Sequence, residues 1–416
     1  MKKHLTIALS VCMAALCAAG CATKPEPPAH IPILAWGSIP HGENETLERY
    51  QELKEAGFDY TFTRWTASYD EVCRQLDLCA AVGVKAFVHC PELQESPEET
   101  VSKLKDHPGL GGWFLRDEPE NDAMEELGAW ARRIESVDTV HPCYLNLLPS
   151  YCFTPEEYET HLHLFTERVA LPQISFDNYP VFYSDKDGDG QAEVHLNPLW
   201  YQNLEMVSAE ARRAGVPFWA FALSTAHTNI GLAQFYTPTP AYPIPTIDHL
   251  RIQMYSNLAY GAQLLQYFSY WYGDAVNPLE APISAGRRTP VYERIRQMNE
   301  EIQCRAFVWA GCTVESVCHL AEDSIPMGTK PLIDLPAHFR KLEIEKGRSL
   351  VSVIKNGQHR YVMLVNTSPV DECQMRVETD EKVQLVRRDG SRVRATLYDS
   401  LFILTPGDCA IFELDK

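Results

Sequence analysis

Two adjacent carboxylates, Asp117 and Glu118, end an apolar and aromatic run, where they could carry out acid–base chemistry. The run reads Gly-Gly-Trp-Phe-Leu-Arg-Asp-Glu-Pro over residues 111–119, and its proline ends it. A buried strand that delivers a carboxyl group at its C-terminal tip is how a (β/α) barrel presents a catalytic acid to its pocket. The pattern is equally typical of an ordinary strand followed by a solvated turn, and both interpretations stay open on this run alone.

The ends of the other predicted strands carry further polar and aromatic candidates. Asp177 follows the sixth predicted strand, in the run Asp-Asn-Tyr-Pro over residues 177–180. The others combine aromatic rings with amide, imidazole and guanidinium groups, and they are Trp36, Arg64, Trp65, His89, Asn146, Tyr179, His227, Tyr270 and Trp271. Sugar rings stack on such aromatic faces while their hydroxyls bind polar groups, so the set predicts a carbohydrate pocket. Each aromatic taken alone is more typical of a core or rim position.

Strand-like runs alternate with amphipathic helical stretches between residues 31 and 306. We predict eight strands, at residues 31–37, 59–65, 85–89, 112–116, 143–148, 173–177, 217–223 and 263–270. This number and alternation predict an α/β fold of the TIM (β/α)8 barrel type. A doubly wound open sheet is the alternative, but it usually has fewer strands and often a glycine-rich phosphate loop, which this sequence lacks.

The pattern changes after the predicted barrel. Residues 307–338 predict an irregular connection, and residues 339–416 predict short alternating strands with hairpin turns at Asn356-Gly357 and Asp389-Gly390. We therefore expect a small C-terminal antiparallel β-sandwich domain.

The N-terminal segment predicts export. Residues 1–20 have a basic start, an apolar run and small residues before Cys21, which is typical of a signal peptide. The position of Cys21 resembles a bacterial lipobox, although Ala18 stands where that motif usually has Leu, and a plain secretory signal is the alternative. We expect acylation of Cys21, a stiff tether over residues 21–30, and attachment to the periplasmic or cell-surface face of a bacterial membrane by lipid.

Charge and loop composition bear on partners and cofactors. The formal net charge of −19 argues against nucleic acid as a partner and suits a neutral ligand. The insertion after the sixth strand places Asp185, Asp187 and Asp189 as in the opening of a calcium loop, with Glu193 as a further oxygen donor. The Glu expected at its twelfth position is absent, and a glycine-rich hairpin tip is the alternative. We predict no required cofactor and, at most, a structural calcium ion.

Three segments together resemble a known family of barrels. They are Trp113 to Pro119, Ser175 to Pro180, and Thr289 to Tyr292 with Met298-Asn299, and they are similar to the clan A glycoside hydrolases, such as the family 42 β-galactosidases. The chain also resembles glycoside hydrolase lipoproteins of Bacteroidetes. The resemblance implies a carbohydrate substrate and Glu118 as general acid/base. The family usually has Asn before this Glu, where this chain has Asp117.

A second departure concerns the nucleophile. The resemblance implies a Glu at the end of the seventh strand, but residues 218–224 contain no carboxylate. Asp177 is the other strand-end acid besides Asp117, and it could be a nucleophile, the base of an inverting reaction, or an orienter of a substrate N-acetyl group. A turn residue that caps the following bend is the alternative for Asp177. Because neighbouring strand residues face opposite sides, Asp117 and Glu118 are not expected to point inward together within a regular strand, although the chain can turn at its tip.

These observations support two functional hypotheses. The first is an exported, lipid-anchored glycoside hydrolase with Glu118 and Asp177 as the catalytic carboxyls. The second is a surface glycan-binding protein on a barrel without a nucleophile, which the empty end of the seventh strand favours.

Overall fold

The computed structural model describes residues 29–37, 39–40, 42–185, 191, 193–228, 241–272 and 281–414. A closed barrel of eight parallel strands forms its centre. These strands are β1 (Ile33–Ala35), β2 (Tyr60–Phe62), β3 (Lys85–Val88), β4 (Leu110–Asp117), β5 (Cys143–Leu147), β6 (Ile174–Phe176), β7 (Phe218–Leu223) and β8 (Leu264–Phe268). Each strand pairs with the next along the chain, and β8 pairs with β1 to close the ring. The predicted TIM barrel is confirmed.

Helices follow the barrel strands in sequence. The α-helices are Leu47–Glu55, Tyr69–Val82, Pro91–Glu95, Pro97–Leu104, Met124–Glu135, Pro155–Leu164, Trp200–Ala214, Ile247–Ala259, Pro290–Gln303 and Ala306–Trp309. Short 3-10 turns lie at Asn121–Ala123 and Ser150–Cys152, and a π turn lies at Phe165–Val169. Local sequence fixes several starts: Thr154 and Glu157 form a capping box that satisfies free N–H groups of the Pro155–Leu164 helix. Within the described residues no helix is long and apolar enough to cross a membrane.

The barrel strands separate two apolar cores. Because successive strand residues face opposite sides, one set of side chains fills the barrel and the other packs against the helices. The barrel interior is aromatic and includes Phe62, Phe87, Phe114, Tyr144 and Phe221. The outer layer is mainly aliphatic and continues into the surrounding helices.

Two small sheets are built from the loops that follow β6, β7 and β8. The first has the strand order His227–Thr228, Ala241–Tyr242, Val181–Ser184, Glu193–Leu196. The second has the order Trp271–Tyr272, Ile283–Ser284, Arg287–Arg288. Because these loops leave the C-terminal ends of the strands, the first sheet brings side chains to the end of the barrel where sites are built.

A β-sandwich follows the barrel, as predicted. Its larger sheet has the order Thr313–Ala321, Arg348–Asn356, His359–Asn366, Cys409–Leu414, Val383–Val386, Arg392–Arg394. Its smaller sheet has the order Phe339–Lys346, Cys373–Thr379, Ser400–Leu404. The inner faces of the two sheets enclose a separate apolar cluster that contains Leu364, Met375 and Phe412.

One part of the segment predicted to be irregular is a strand. Residues Thr313–Ala321, within the expected connection 307–338, pair antiparallel with Arg348–Asn356 along their whole length. The register shifts between Val314 and Ser316, and this irregularity interrupts the period of two by which a strand is recognised in sequence. The larger sheet of the sandwich therefore begins at residue 313.

Candidate active site

Three carboxyl groups from the ends of β4 and β6 line one cavity of about 310 Å³. They are Asp117, Glu118 and Asp177. The remaining lining is mostly aromatic and consists of Trp36, Asn146, Tyr151, Tyr179, Phe221, His227, Tyr242 and Phe268. The cavity lies at the C-terminal end of the barrel, where barrel enzymes build their active sites.

A bulge in β4 explains how both adjacent carboxylates reach this cavity. Phe114 pairs with Tyr144 of β5, but Arg116, two residues on, pairs with the very next residue of β5. The extra residue shifts the alternation by one, so Asp117 comes level with Asn146 and shares its inward side. Glu118 then adopts a left-handed backbone with φ of 45°. Its N–H donates to the Asn146 carbonyl at 2.8 Å. The turn at the strand tip, which the sequence left open, thus brings both acids inward.

Asn146 holds the two aspartates in place. Its Nδ2 donates to Asp177 Oδ1 at 2.9 Å and lies 3.3 Å from Asp117 Oδ1. Its Oδ1 accepts from Ser175 Oγ at 2.9 Å. These contacts fix the amide orientation, because one end of the group must donate and the other must accept.

A buried polar chain beneath Asn146 supports this orientation. Gln266 Nε2 donates to Ser175 Oγ at 2.8 Å, and Tyr144 OH donates to Gln266 Oε1 at 2.7 Å. All three side chains are fully buried in the barrel. A satisfied buried network of this kind rigidifies the groups it holds.

The carboxyl groups perturb one another. Asp177 is buried, and burial together with the charges of Glu118 and Asp117 raises its pKa well above the usual value. Burial, then the charge of Glu118, raises the pKa of Asp117 to about 7. Glu118 is exposed as a whole residue, but partial enclosure of its carboxyl group raises its pKa as well. No Lys or Arg occurs among the described residues that line the cavity, and the hydrogen bonds from Asn146, which lower the pKa of both aspartates, are the smaller effect.

Asp177 and Glu118 are hydrogen bonded through their side chains. Such a bond between two carboxyl groups requires one proton, and the buried Asp177, with its strongly raised pKa, is the group that holds it and donates. The pair therefore keeps a transferable proton to a higher pH than isolated carboxyl groups would, next to an open cavity.

Aromatic rings form the wall on the side of Tyr179. This ring lies edge-on to Tyr242 at 5.8 Å between centroids and is tilted against Phe268 at 5.7 Å. His227 packs on Tyr242 at 4.6 Å, and burial lowers the pKa of its imidazole. An uncharged aromatic wall opposite carboxyl groups is suited to a ligand with an apolar ring face and several hydroxyls.

The cavity brings together seven of the residues singled out in the sequence. These are Trp36, Asp117, Glu118, Asn146, Asp177, Tyr179 and His227. Trp65 and His89 line a neighbouring cavity instead, and Arg64 is exposed just after β2.

Tyr270 and Trp271 do not reach the cavity. After β8 the chain stays beside the end of β1, where the Tyr270 N–H donates to the Trp36 carbonyl at 2.8 Å. Tyr270 is buried against Phe58 in the outer core, and Trp271 lies beneath the Arg49 guanidinium. Both side chains pack into the outer core of the barrel, and for this reason the prediction that they line the cavity fails.

Four lining residues were not anticipated from the sequence. Phe221 lies within β7 and Phe268 ends β8. The alternation of side chains along these strands could have predicted that both rings point into the barrel. Tyr151 lies in the 3-10 turn after β5, and Tyr242 comes from the small sheet built by distant loops. Only the pairing of those loops, which the sequence does not display, places Tyr242 here.

The predicted calcium and lipid sites fall largely outside the described residues. Asp187, Asp189 and Cys21 lie outside them, while Asp185 and Glu193 flank the tip of the hairpin Val181–Ser184 and Glu193–Leu196. Within the described ranges, no three His, Cys, Asp or Glu side chains are grouped as metal ligands would be. The calcium site stays a prediction.

Comparison with solved structures shows the fold. The chain is similar to an α-amylase from Geobacillus thermoleovorans, with a TM-score of 0.51, 9% identity, and coverage of 93% of this chain and 98% of the other. It is also similar to a family 27 β-L-arabinopyranosidase from Geobacillus stearothermophilus, with a TM-score of 0.51, 11% identity, and coverage of 93% and 97%.

A β-galactosidase from Marinomonas ef1 gives a TM-score of 0.46 at 10% identity, and the match covers 66% of this chain and 60% of that enzyme. No protein-family model matches the sequence. No curated protein matches it either.

Proposed function

We propose that this protein is a glycoside hydrolase that cleaves an oligosaccharide or polysaccharide, with Glu118 as the general acid/base. The observation that carries this proposal is the hydrogen-bonded Glu118–Asp177 pair in an aromatic cavity at the C-terminal end of the barrel. The α-amylase and the β-L-arabinopyranosidase with the same fold are glycosidases by name, which agrees with the proposal.

The two carboxyls have different environments and therefore different roles. Glu118 is the more exposed, and it meets the glycosidic oxygen. The proton held by the pair passes through Glu118 to that oxygen, and the bond from this oxygen to the anomeric carbon breaks. The carboxylate left at Asp177 faces the positive charge that develops on the sugar. A water molecule then gives its hydroxyl to the anomeric carbon and returns a proton to the pair.

The closeness of the pair bears on the mechanism. Retaining enzymes separate their carboxyls by about 5–5.5 Å and inverting enzymes by about 6.5–9.5 Å. Two carboxyl oxygens that share a hydrogen bond leave no room between them for an anomeric carbon or a water molecule. This contact favours Asp177 as the group that supplies and orients the Glu118 proton over Asp177 as a direct nucleophile.

The end of β7 favours a second candidate function. The β7 residue that lines the cavity is Phe221, and the strand ends without the carboxylate that the resemblance implies. A glycan-binding protein that holds sugars without cleaving them fits this substitution.

Turnover separates the two candidates. We expect the wild-type chain to release reducing sugar from at least one member of a panel of aryl glycosides and polysaccharides. Glu118→Gln, which keeps the shape but not the transferable proton, should lower kcat at least about 100-fold. Glu120→Gln is the matched control, since Glu120 is exposed in the same loop and does not line the cavity, and it should leave kcat unchanged.

Two results would contradict the assignment. Binding of glycans without turnover of any panel member would favour the binding protein. Turnover that survives Glu118→Gln would exclude Glu118 as the acid.

We also propose that the protein is exported and lipid-anchored through Cys21. The support is the order of basic, apolar and small residues before this cysteine.

A further inference from the structure

A second cavity, of about 610 Å³, lies beside the first on the outer side of the β4 end. It is bounded by the ends of β2, β3 and β4 and by the helix Met124–Glu135, and its lining includes Trp65, His89, Phe114, Arg116, Asp117 and Trp130. We call it the side cavity. Its volume is in the range of small-molecule binding sites.

Two indole rings give the side cavity apolar faces. Trp65 is 48% exposed and stacks on Phe114 with 5.6 Å between ring centroids. Trp130 donates its Nε1–H to the Leu93 carbonyl at 3.0 Å, which satisfies the only polar atom of the ring. A half-exposed tryptophan costs free energy in water, and the C–H face of a sugar ring is a partner that covers it.

Polar groups complete this lining. His89 Nδ1 lies 3.1 Å from the Phe114 carbonyl, which can only accept, so Nδ1 carries the hydrogen and donates. In the neutral ring this leaves Nε2 as an acceptor for a hydroxyl. The Arg116 guanidinium is exposed, and within the described part of the chain it forms no hydrogen bond or ion pair.

The charges of the side cavity balance. The lining of the side cavity includes Arg116 and Arg133 as well as Asp117 and Glu126, and Arg133 is already bound to Glu98 by two hydrogen bonds. Two cationic and two acidic side chains give the lining no net positive charge that would attract an anionic ligand. The lining therefore suits a neutral sugar better than a uronate or a sulfated sugar.

The two cavities adjoin. Asp117 lines both of them. Trp36 of the first cavity and Trp65 of the side cavity touch edge to face, 5.6 Å apart, and Phe114 contacts both rings. A chain of sugar units that occupies one cavity can thus continue into the other past Asp117 and the exposed ring of Trp65.

We propose that the side cavity is a second sugar-binding site, which takes a neutral unit of the same saccharide whose bond lies at Glu118. This inference rests on the proposed function and deepens it, because it identifies the substrate as a neutral oligosaccharide longer than the first cavity alone holds.

Binding to a non-cleaving variant tests the proposal. Full-length Glu118→Gln is applied to an array of neutral di- to hexasaccharides from galactan, mannan, xylan and glucan, and the strongest ligand is measured by calorimetry at each chain length. Affinity should increase from di- to tetrasaccharide. Adding Trp65→Ala should weaken tetrasaccharide binding about tenfold and abolish that increase.

Tyr398→Ala is the matched control, since Tyr398 is a 76% exposed aromatic on the sandwich. It should leave both affinities unchanged. Arg116→Ala, at an exposed position that does not affect packing, should weaken the tetrasaccharide in the same direction as Trp65→Ala.

The outcomes separate this inference from the proposed function. Equal tetrasaccharide affinity with and without Trp65, or no binding to any neutral oligosaccharide, overturns the side-cavity assignment even if wild type is active. Trp65-dependent binding by a wild-type chain that cleaves nothing supports the side cavity and overturns the hydrolase assignment.

Discussion

At the scale of single residues, Asn146 is the group on which the cavity depends. One amide contacts both aspartates and is itself fixed by Ser175. The strand-four glutamate alone would be an ordinary exposed acid. Its contact with the buried Asp177 converts it into one end of a proton-sharing pair. The chemistry therefore comes from β5 and β6 as much as from β4.

The raised pKa values imply that this cluster destabilises the folded protein above acid pH. A carboxyl whose folded pKa is raised contributes stability below its unfolded pKa, and that contribution is lost as the pH rises through the folded value. The unfolded value is 3.8 for Asp, and the folded pKa of Asp117 is about 7. We expect Asp177→Asn, which keeps an acceptor for Asn146 and an N–H for Glu118, to stabilise the protein by about 1–2 kcal/mol at pH 8 and by almost nothing at pH 4.

Thermal unfolding at the two pH values checks this expectation. Asp106→Asn removes an exposed aspartate far from the cavity and serves as the control, with no pH-dependent gain. A lower melting temperature for Asp177→Asn than for wild type at pH 8 would argue against a protonated Asp177.

At the scale of elements, the tip of β4 combines a bulge with a left-handed residue. The bulge turns Asp117 inward, and the positive φ of Glu118 directs the chain out of the strand. A non-glycine residue in this region costs free energy and persists only where the surroundings hold it. Here the strain accompanies the proposed catalytic acid.

At position 118 a glycine variant should therefore be more stable than an alanine variant, which is the reverse of the usual order. Because glycine has no Cβ to clash at positive φ, we expect Glu118→Gly to be more stable than Glu118→Ala by about 1 kcal/mol. At Glu120, where φ is −76°, the order should be the opposite. The melting temperatures of the Gly and Ala variants at positions 118 and 120 test this prediction. An alanine variant at 118 that is as stable as the glycine variant would contradict the left-handed conformation.

The sequence predicts the helices and strands of the barrel better than it predicts the detailed geometry of the site. Each barrel strand alternates with a helix, and periodicity locates both, so the count of eight and the positions of Glu118, Asn146 and Asp177 at strand ends followed. The bulge did not follow, because one additional residue inside an apolar run leaves no mark in its composition. Tyr270 and Trp271 were misplaced for a related reason: the direction in which a chain turns after a strand is set by its tertiary contacts.

At the scale of the whole molecule, the sandwich packs directly on the barrel. Ser352 Oγ donates to the Ala259 carbonyl at 2.7 Å, and the buried Arg305 reaches Cys409 Sγ at 3.4 Å. The Arg305 guanidinium also lies over the rings of Tyr255 and Trp309. These contacts involve the barrel helices farther from the cavity lining, so the sandwich supports the barrel without contributing to the described site.

The lipid anchor is tested on the whole chain. We expect the wild-type protein, produced in a bacterium that processes lipoproteins, to enter the detergent phase in a detergent partition experiment. Cys21→Ser should move it to the aqueous phase, since the acyl chains supply the membrane affinity. Cys152→Ser, at an exposed free thiol of the barrel, is the control. A Cys21→Ser protein that still enters the detergent phase would contradict acylation at this position.

The absence of Lys and Arg from the described lining of the first cavity has a consequence for recognition. Charges that are fixed before a ligand arrives need no reorganisation when opposite charge develops beside them. Each ionised carboxyl in this cavity therefore adds negative charge that no cation among the described lining residues cancels, and a neutral ligand gains little from that charge. Under the proposed function, the free energy that the folded protein loses by assembling these acids would become selectivity for a positively charged transition state over the neutral substrate from which it forms.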